Sequence, residues 1–131
     1  MRIRYIYLLF IAILTGLLIS GCSQIAEPEE IYQEYYKACK EGKFDDAKLL
    51  LDVNALETSR KLGACAFTHD AINTIEVQKG NPIRTFNQDP TVTKNDKRAS
   101  ILWLDDQGNI VTVALILVDG HWKISNTTWS Y

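Results

Sequence analysis

Nine consecutive residues, Ile110 to Val118, contain one polar side chain, Thr112. A run that short and that apolar predicts a central strand covered on both faces. Helices elsewhere in the chain would supply one cover, and a second copy of the chain, a homodimer through the sheet face, would supply the other. Ala99–Leu104 and Trp122–Thr128 read as its neighbours. Asp105-Asp106-Gln107-Gly108-Asn109 makes the first connection, and Asp119-Gly120 the second, a tight two-residue hairpin. The acidic start of the longer turn looks like a calcium loop, but it is too short and lacks the later glutamate.

Ahead of these strands the period is helical. Glu27-Pro28-Glu29-Glu30 opens a helix, since proline's missing N–H costs nothing in a first turn and carboxylates there face the positive end of the helix dipole. Ile31, Tyr35, Ala38 and Cys39 recur at helical spacing, Tyr32 and Tyr36 widen the apolar side, and Gly42 ends it. A second helix is expected from Phe44 to Leu51. Asn54-Ala55-Leu56-Glu57 has the form of a capping box, which predicts a third helix running to Gly63. From Ala71 the period changes: Asn73 to Gln78 alternates like a strand, and Gly80-Asn81-Pro82 reads as a turn. Residues 84–98 are polar, with Val92 marking either a short strand or a loop. Helices first and antiparallel strands last predict an α+β domain over residues 28–131, with N-terminal helices packed on a curved antiparallel sheet.

The N-terminus has a separate grammar. Arg2 and Arg4 precede the apolar stretch Tyr5–Leu14, and Thr15-Gly16 breaks the run before Leu17-Leu18-Ile19-Ser20-Gly21-Cys22. Positive, apolar and small-residue regions in that order make a signal peptide over residues 1–21. The final six residues resemble the lipobox of bacterial lipoproteins, which implies cleavage before Cys22 and lipid on that cysteine; a plain transmembrane anchor is the alternative. Both place the domain outside the cytoplasm, in the bacterial cell envelope. Residues 22–27 are then a short tether, reaching about 17 Å beyond the lipidated residue. Ser23 is compatible with export to an outer membrane, where a diderm cell would hold the domain facing the periplasm; otherwise it sits on the outer face of the plasma membrane. Loss of Arg2 and Arg4 takes the formal net charge from −2 to about −4. A mildly acidic domain argues against nucleic acid as a partner.

Lipidation of Cys22 leaves an even pair, Cys39 and Cys65, in a compartment that can be oxidising. A disulfide, two buried thiols, or a metal site adding His69 are the readings, and a metal would need one more ligand. His69 is the weak catalytic candidate. On an extended chain it would point away from Asp70, so the two could not act together. Tyr32, Tyr35, Tyr36, Trp103 and Trp122 serve either as core or as the wall of a pocket between helices and sheet. No Gly-rich phosphate loop, nucleophile elbow, HExxH or CxxC is present, and no cofactor is implied.

Two segments carry a family likeness. Tyr36–Leu50, with its helix, glycine and Phe44-x-x-Ala47, resembles the opening of the nuclear-transport-factor-2-like, or cystatin-like, superfamily, and Val118-Asp119-Gly120-His121-Trp122-Lys123-Ile124 resembles its closing hairpin. Small lipoproteins of unknown function share this pattern. The resemblance implies a cone-like α+β fold and lends no reaction, because the superfamily's catalytic groups have no matching positions here. A non-enzymatic binding module for a small apolar ligand or a protein partner is the leading expectation. An inhibitor or immunity-type lipoprotein using residues 81–98, and a cavity enzyme using His69, are the others.

Overall fold

The structure, a computed structural model, describes residues 24–130; Cys22 and the leader lie outside them. In chain order the elements are α1 (Pro28–Lys40), α2 (Phe44–Leu49), α3 (Val53–Leu62), α4 (His69–Gln78), β1 (Thr91–Lys94), β2 (Arg98–Leu104), β3 (Ile110–Val118) and β4 (His121–Ser130). The fold is α+β. The strands form one antiparallel meander in the order β1-β2-β3-β4. Among the described residues, no helix is long and apolar enough to cross a membrane.

Each helix end has a local cause. At the start of α1 the Glu30 carboxylate accepts the Glu27 N–H at 3.0 Å. At its end Gly42 takes φ 72°, Lys43 N–H reaches back to the Ala38 carbonyl and Gly42 N–H to that of Cys39. This paired pattern satisfies carbonyls that the helix leaves open. α3 starts two residues earlier than its sequence suggests. Asp52, not Asn54, is the cap: its Oδ1 accepts the Ala55 N–H at 2.7 Å. The choice is tertiary, because Asp52 Oδ2 also accepts the Ser125 hydroxyl at 2.7 Å and Asp52 N–H donates to the Ile124 carbonyl at 2.8 Å.

The expected strand at residues 73–78 is helical. Thr68 caps α4, its hydroxyl accepting the Ala71 N–H at 3.1 Å, and Asp70 occupies the first turn. Gly80, read from sequence as a turn between strands, is the helix stop. At φ 89° it donates to the Val77 carbonyl while Asn81 N–H donates to that of Glu76. The short alternation lost to strong signals at both ends.

The sheet follows its sequence pattern. Asp119 and Gly120 both adopt positive φ, 49° and 77°, as a two-residue antiparallel hairpin requires. Ala99, Ile101, Trp103, Val113, Leu115, Trp122 and Ile124 face the helices, where they meet Ile31, Tyr35, Ala47, Leu51, Ala55 and Phe67. Register slips between Ala114 and Leu115, so Ser125 bulges from β4 toward Asp52. On the other face of β3, away from the helices, Thr112, Ala114 and Ile116 are half-buried within the single chain.

The polar stretch 84–98 divides in two. Residues 91–94 become β1, whereas Phe86 bridges to Asp105 beyond the end of β2. Arg84 is buried there. Its guanidinium donates to Asp105 Oδ2 at 3.1 Å, and its backbone exchanges two hydrogen bonds with the Asn73 side chain of α4. Asp105 also closes its own turn, accepting the N–H groups of Gln107 and Asn109. Residues 81–90 are thus sewn between α4 and β2 and do not protrude as a free hairpin.

Candidate functional site

Tyr32, Tyr36 and Lys40 are spaced by four along α1, which lines them up on one stripe. That stripe meets the first turn of α4. The helical conformation brings His69 and Asp70 to the same side, with Nε2 and Oδ1 3.3 Å apart, so the expectation that they diverge does not hold.

Tyr32 Oη accepts the His69 backbone N–H at 3.2 Å and lies 3.2 Å from His69 Nδ1. With its remaining proton Tyr32 Oη can donate to Nδ1, the arrangement that puts the imidazole proton on Nε2, toward Asp70. Asp70 Oδ2 in turn accepts Tyr36 Oη–H at 2.6 Å and pairs with Lys40 Nζ at 2.9 Å. The His69 ring is stacked between Tyr36 (interplanar angle 8°) and Trp103 (22°), and Phe86 meets it edge-on. Tyr32 leans on Trp103 from behind, its ring centre 4.9 Å away.

The electrostatics follow from burial and these partners. Burial holds the His69 imidazole below its ordinary range; Asp70 opposes this and Lys40 reinforces it. The Asp70 carboxyl would be pushed up by burial, but the Tyr36 and Lys40 donors more than offset that and bring it down. Burial pushes both Tyr32 and Tyr36 upward, so each remains a neutral donor across the physiological range. At neutral pH the cluster is a neutral imidazole, two phenols and one carboxylate paired with an ammonium.

In front of it lies a cleft of about 240 Å³ lined by Tyr32, Tyr36, His69, Ile101 and Trp103, with Glu29, Gln33, Gln88 and Pro90 at its margin. Four sequence candidates therefore converge: Tyr32, Tyr36, His69 and Trp103. Tyr35 and Trp122 do not line this cleft. Tyr35 is fully buried, its hydroxyl tied to the Ala64 carbonyl and the Phe67 N–H, and Trp122 sits in the core against the helices. Asp70, set aside as a partner of His69 on the expectation of extended backbone, completes the cluster together with Lys40 and Phe86, which were not singled out. The four-residue spacing of Tyr32, Tyr36 and Lys40 is the sequence signal for Lys40; Phe86 carries none, because its place depends on the bridge to Asp105.

Cys39 and Cys65 stand at disulfide distance, with Cα atoms 5.7 Å apart, joining the last turn of α1 to the loop before α4. No group of three or more His, Cys, Asp or Glu side chains that could hold a metal ion occurs among the described residues. Comparison with models of protein families finds no match, and comparison with curated proteins finds none either.

Proposed function

We propose that this chain is a lipid-anchored cell-envelope protein that binds a protein partner at the aromatic cleft and performs no chemistry there. The observation that carries the reading is a preorganised cleft of about 240 Å³. That is below the roughly 300–1,000 Å³ that encloses a drug-sized ligand, and it suits one inserted side chain. Its aromatic wall is held by stacking and hydrogen bonds before any ligand arrives, which lowers the ordering cost of binding. The polar margin of Glu29, Gln33 and Gln88 supplies hydrogen bonds around an apolar centre, the arrangement of an interface hot spot. His69 Nδ1 is engaged by the Tyr32 hydroxyl and the ring is stacked between aromatic neighbours, which weighs against acid–base work.

Anchoring rests on the order of charge, apolar run, small residues and Cys22, and on the cysteine pair that lipidation leaves over. Kinship with the cystatin-like superfamily belongs to the same proposal, supported by the helix-then-sheet order. Photo-crosslinkers placed at Gln33 and Gln88 in cells should trap one discrete partner, and a crosslinker at Val53, an exposed position on α3, should not. Tyr36→Ala should abolish the adduct. Equal trapping from all three positions would refute the cleft as the interface. Cys22→Ser should block lipid labelling of the protein, and unchanged labelling would refute the anchor.

A further inference from the structure

On the other side of α4 the helices enclose a second concavity with different chemistry. α2, α3 and α4 surround an open groove of about 1090 Å³. Phe44 and Leu62 line it while 52% and 61% exposed, and Ile75 lines it half-buried. Large apolar groups left open around one concavity mark a place that something apolar covers. Every charged residue that lines it is a cation: Lys48, Arg60 and Lys61. A domain with an acidic balance has gathered positive charge around one apolar floor. Lys48 and Arg60 have pairs in Asp45 and Glu57, at 3.3 and 3.2 Å, but those carboxylates are 99% and 59% exposed and do not line the groove. Exposed pairs of this kind are weak and yield to a better-placed anion.

We infer that the groove binds a free, single-chain amphiphile with an anionic head, of which a fatty carboxylate is the simplest form. The head lies among Lys48, Arg60 and Lys61, and the alkyl chain runs over Phe44, Leu62 and Ile75. Charge complementarity selects the head, and the apolar floor selects the chain. Position in the fold separates this occupant from the bilayer itself. Cys65 lines the groove and stands beside Cys39 near the end of α1, whereas the N-terminal tether enters at Pro28. Eleven helical residues at about 1.5 Å each put roughly 17 Å between the two ends. The groove thus lies at the far end of α1 from the tether, open to a molecule that has left the membrane. This site is separate from the aromatic cleft, while the choice of a free amphiphile over the bilayer rests on the proposed anchoring at Cys22.

Photoaffinity labelling of the full chain in its own membranes tests it, using a diazirine-bearing hexadecanoate and mapping the adducts by peptide mass spectrometry. Label should concentrate in the peptides spanning residues 44–78. Added decanoate should compete about 15-fold more strongly than octanoate, because each fully buried methylene is worth about fourfold in affinity. Decyltrimethylammonium should not compete. The triple variant Lys48→Glu, Arg60→Glu, Lys61→Glu should lose most of the label. Phe44→Ser, an exposed side chain whose loss leaves the core intact, should weaken labelling with the charges unchanged, and Tyr36→Ala should leave it intact. Label spread evenly over the exposed surface, equal competition by the cationic amphiphile, or full labelling of a correctly folded triple variant would each overturn the site. So would phosphatidylglycerol vesicles competing where monomeric decanoate does not, since the occupant would then be a membrane surface.

Discussion

Removing one oxygen from Tyr35 should cost the fold about 2–4 kcal/mol. Tyr35 is fully buried, and its hydroxyl makes two hydrogen bonds, donating to the Ala64 carbonyl at 2.7 Å and accepting the Phe67 N–H at 3.2 Å. Tyr35→Phe keeps the ring, so the apolar packing is almost unchanged. What it removes is the partner of two backbone groups in the segment between α3 and α4. A buried donor left unpaired costs about 1–3 kcal/mol, and the half-buried Ala64 carbonyl, which water can reach, adds about 1 kcal/mol. For a domain of this size that is a large part of an overall stability of about 5–15 kcal/mol. Urea unfolding followed by tryptophan fluorescence should show a lower midpoint at an unchanged slope, and the thermal midpoint should fall by about 10 °C or more. Tyr36→Phe is the matched control. Its hydroxyl bonds to an Asp70 side chain that is 46% exposed, so water can replace it and the loss should stay under about 1 kcal/mol. If Tyr35→Phe also stays within about 0.5 kcal/mol of the parent, the hydroxyl is not what fixes the segment before α4.

Three further outcomes follow from the same structure. Asp52→Ala should cost about 2 kcal/mol in denaturant unfolding because it removes a helix cap and strands the Ser125 hydroxyl, whereas Asn54→Ala should be nearly silent; equal effects would return the cap to Asn54. Replacing both Cys39 and Cys65 with serine should cost about 3.5 kcal/mol for a loop of 26 residues, and two alkylatable thiols in the native protein would refute the bond. His69 should titrate below about 6.5 by NMR, moving up in Lys40→Met and further down in Asp70→Asn. Because its folded pKa is depressed, the unfolded chain takes the proton first, so this group's stabilisation is complete above about pH 6.5 and is lost as pH falls; a midpoint above 6.5 would contradict the buried, stacked ring.

The sheet is legible from the chain because its causes are local. The apolar run of β3 and the Asp119-Gly120 turn each specify their element within a few residues. The first helix is legible for the same reason, with its proline entry and glycine exit. The cap of α3 is not. Asp52 and Asn54 are both good capping residues, and what separates them is Ser125 and Ile124, some seventy positions downstream.

The misleading segment is the one that makes the site. The alternating residues 73–78 also continue a helical repeat from just before them, since Ile75 stands three positions after Ile72 and four after Ala71. Over so short a window the two periods cannot be told apart, and the ends decide. Thr68 supplies an acceptor at one end and Gly80 a left-handed stop at the other, so a helix satisfies groups that a strand here would leave to solvent. The consequence reaches beyond that element. In extended backbone His69 and Asp70 would face opposite sides, and only one could reach α1. In the first turn of a helix they lie about 100° apart, close enough for Tyr32 to take His69 while Tyr36 and Lys40 take Asp70. Tyr32 and Tyr36 are themselves one helical turn apart, so a one-turn pair on α1 meets an adjacent pair at the start of α4, and the contacts fix the register of the two helices. The cleft therefore depends on α4 being helical. Its aromatic wall cannot be found by searching the sequence for neighbours, because its members converge from α1, α4, β2 and the segment bridged to Asp105.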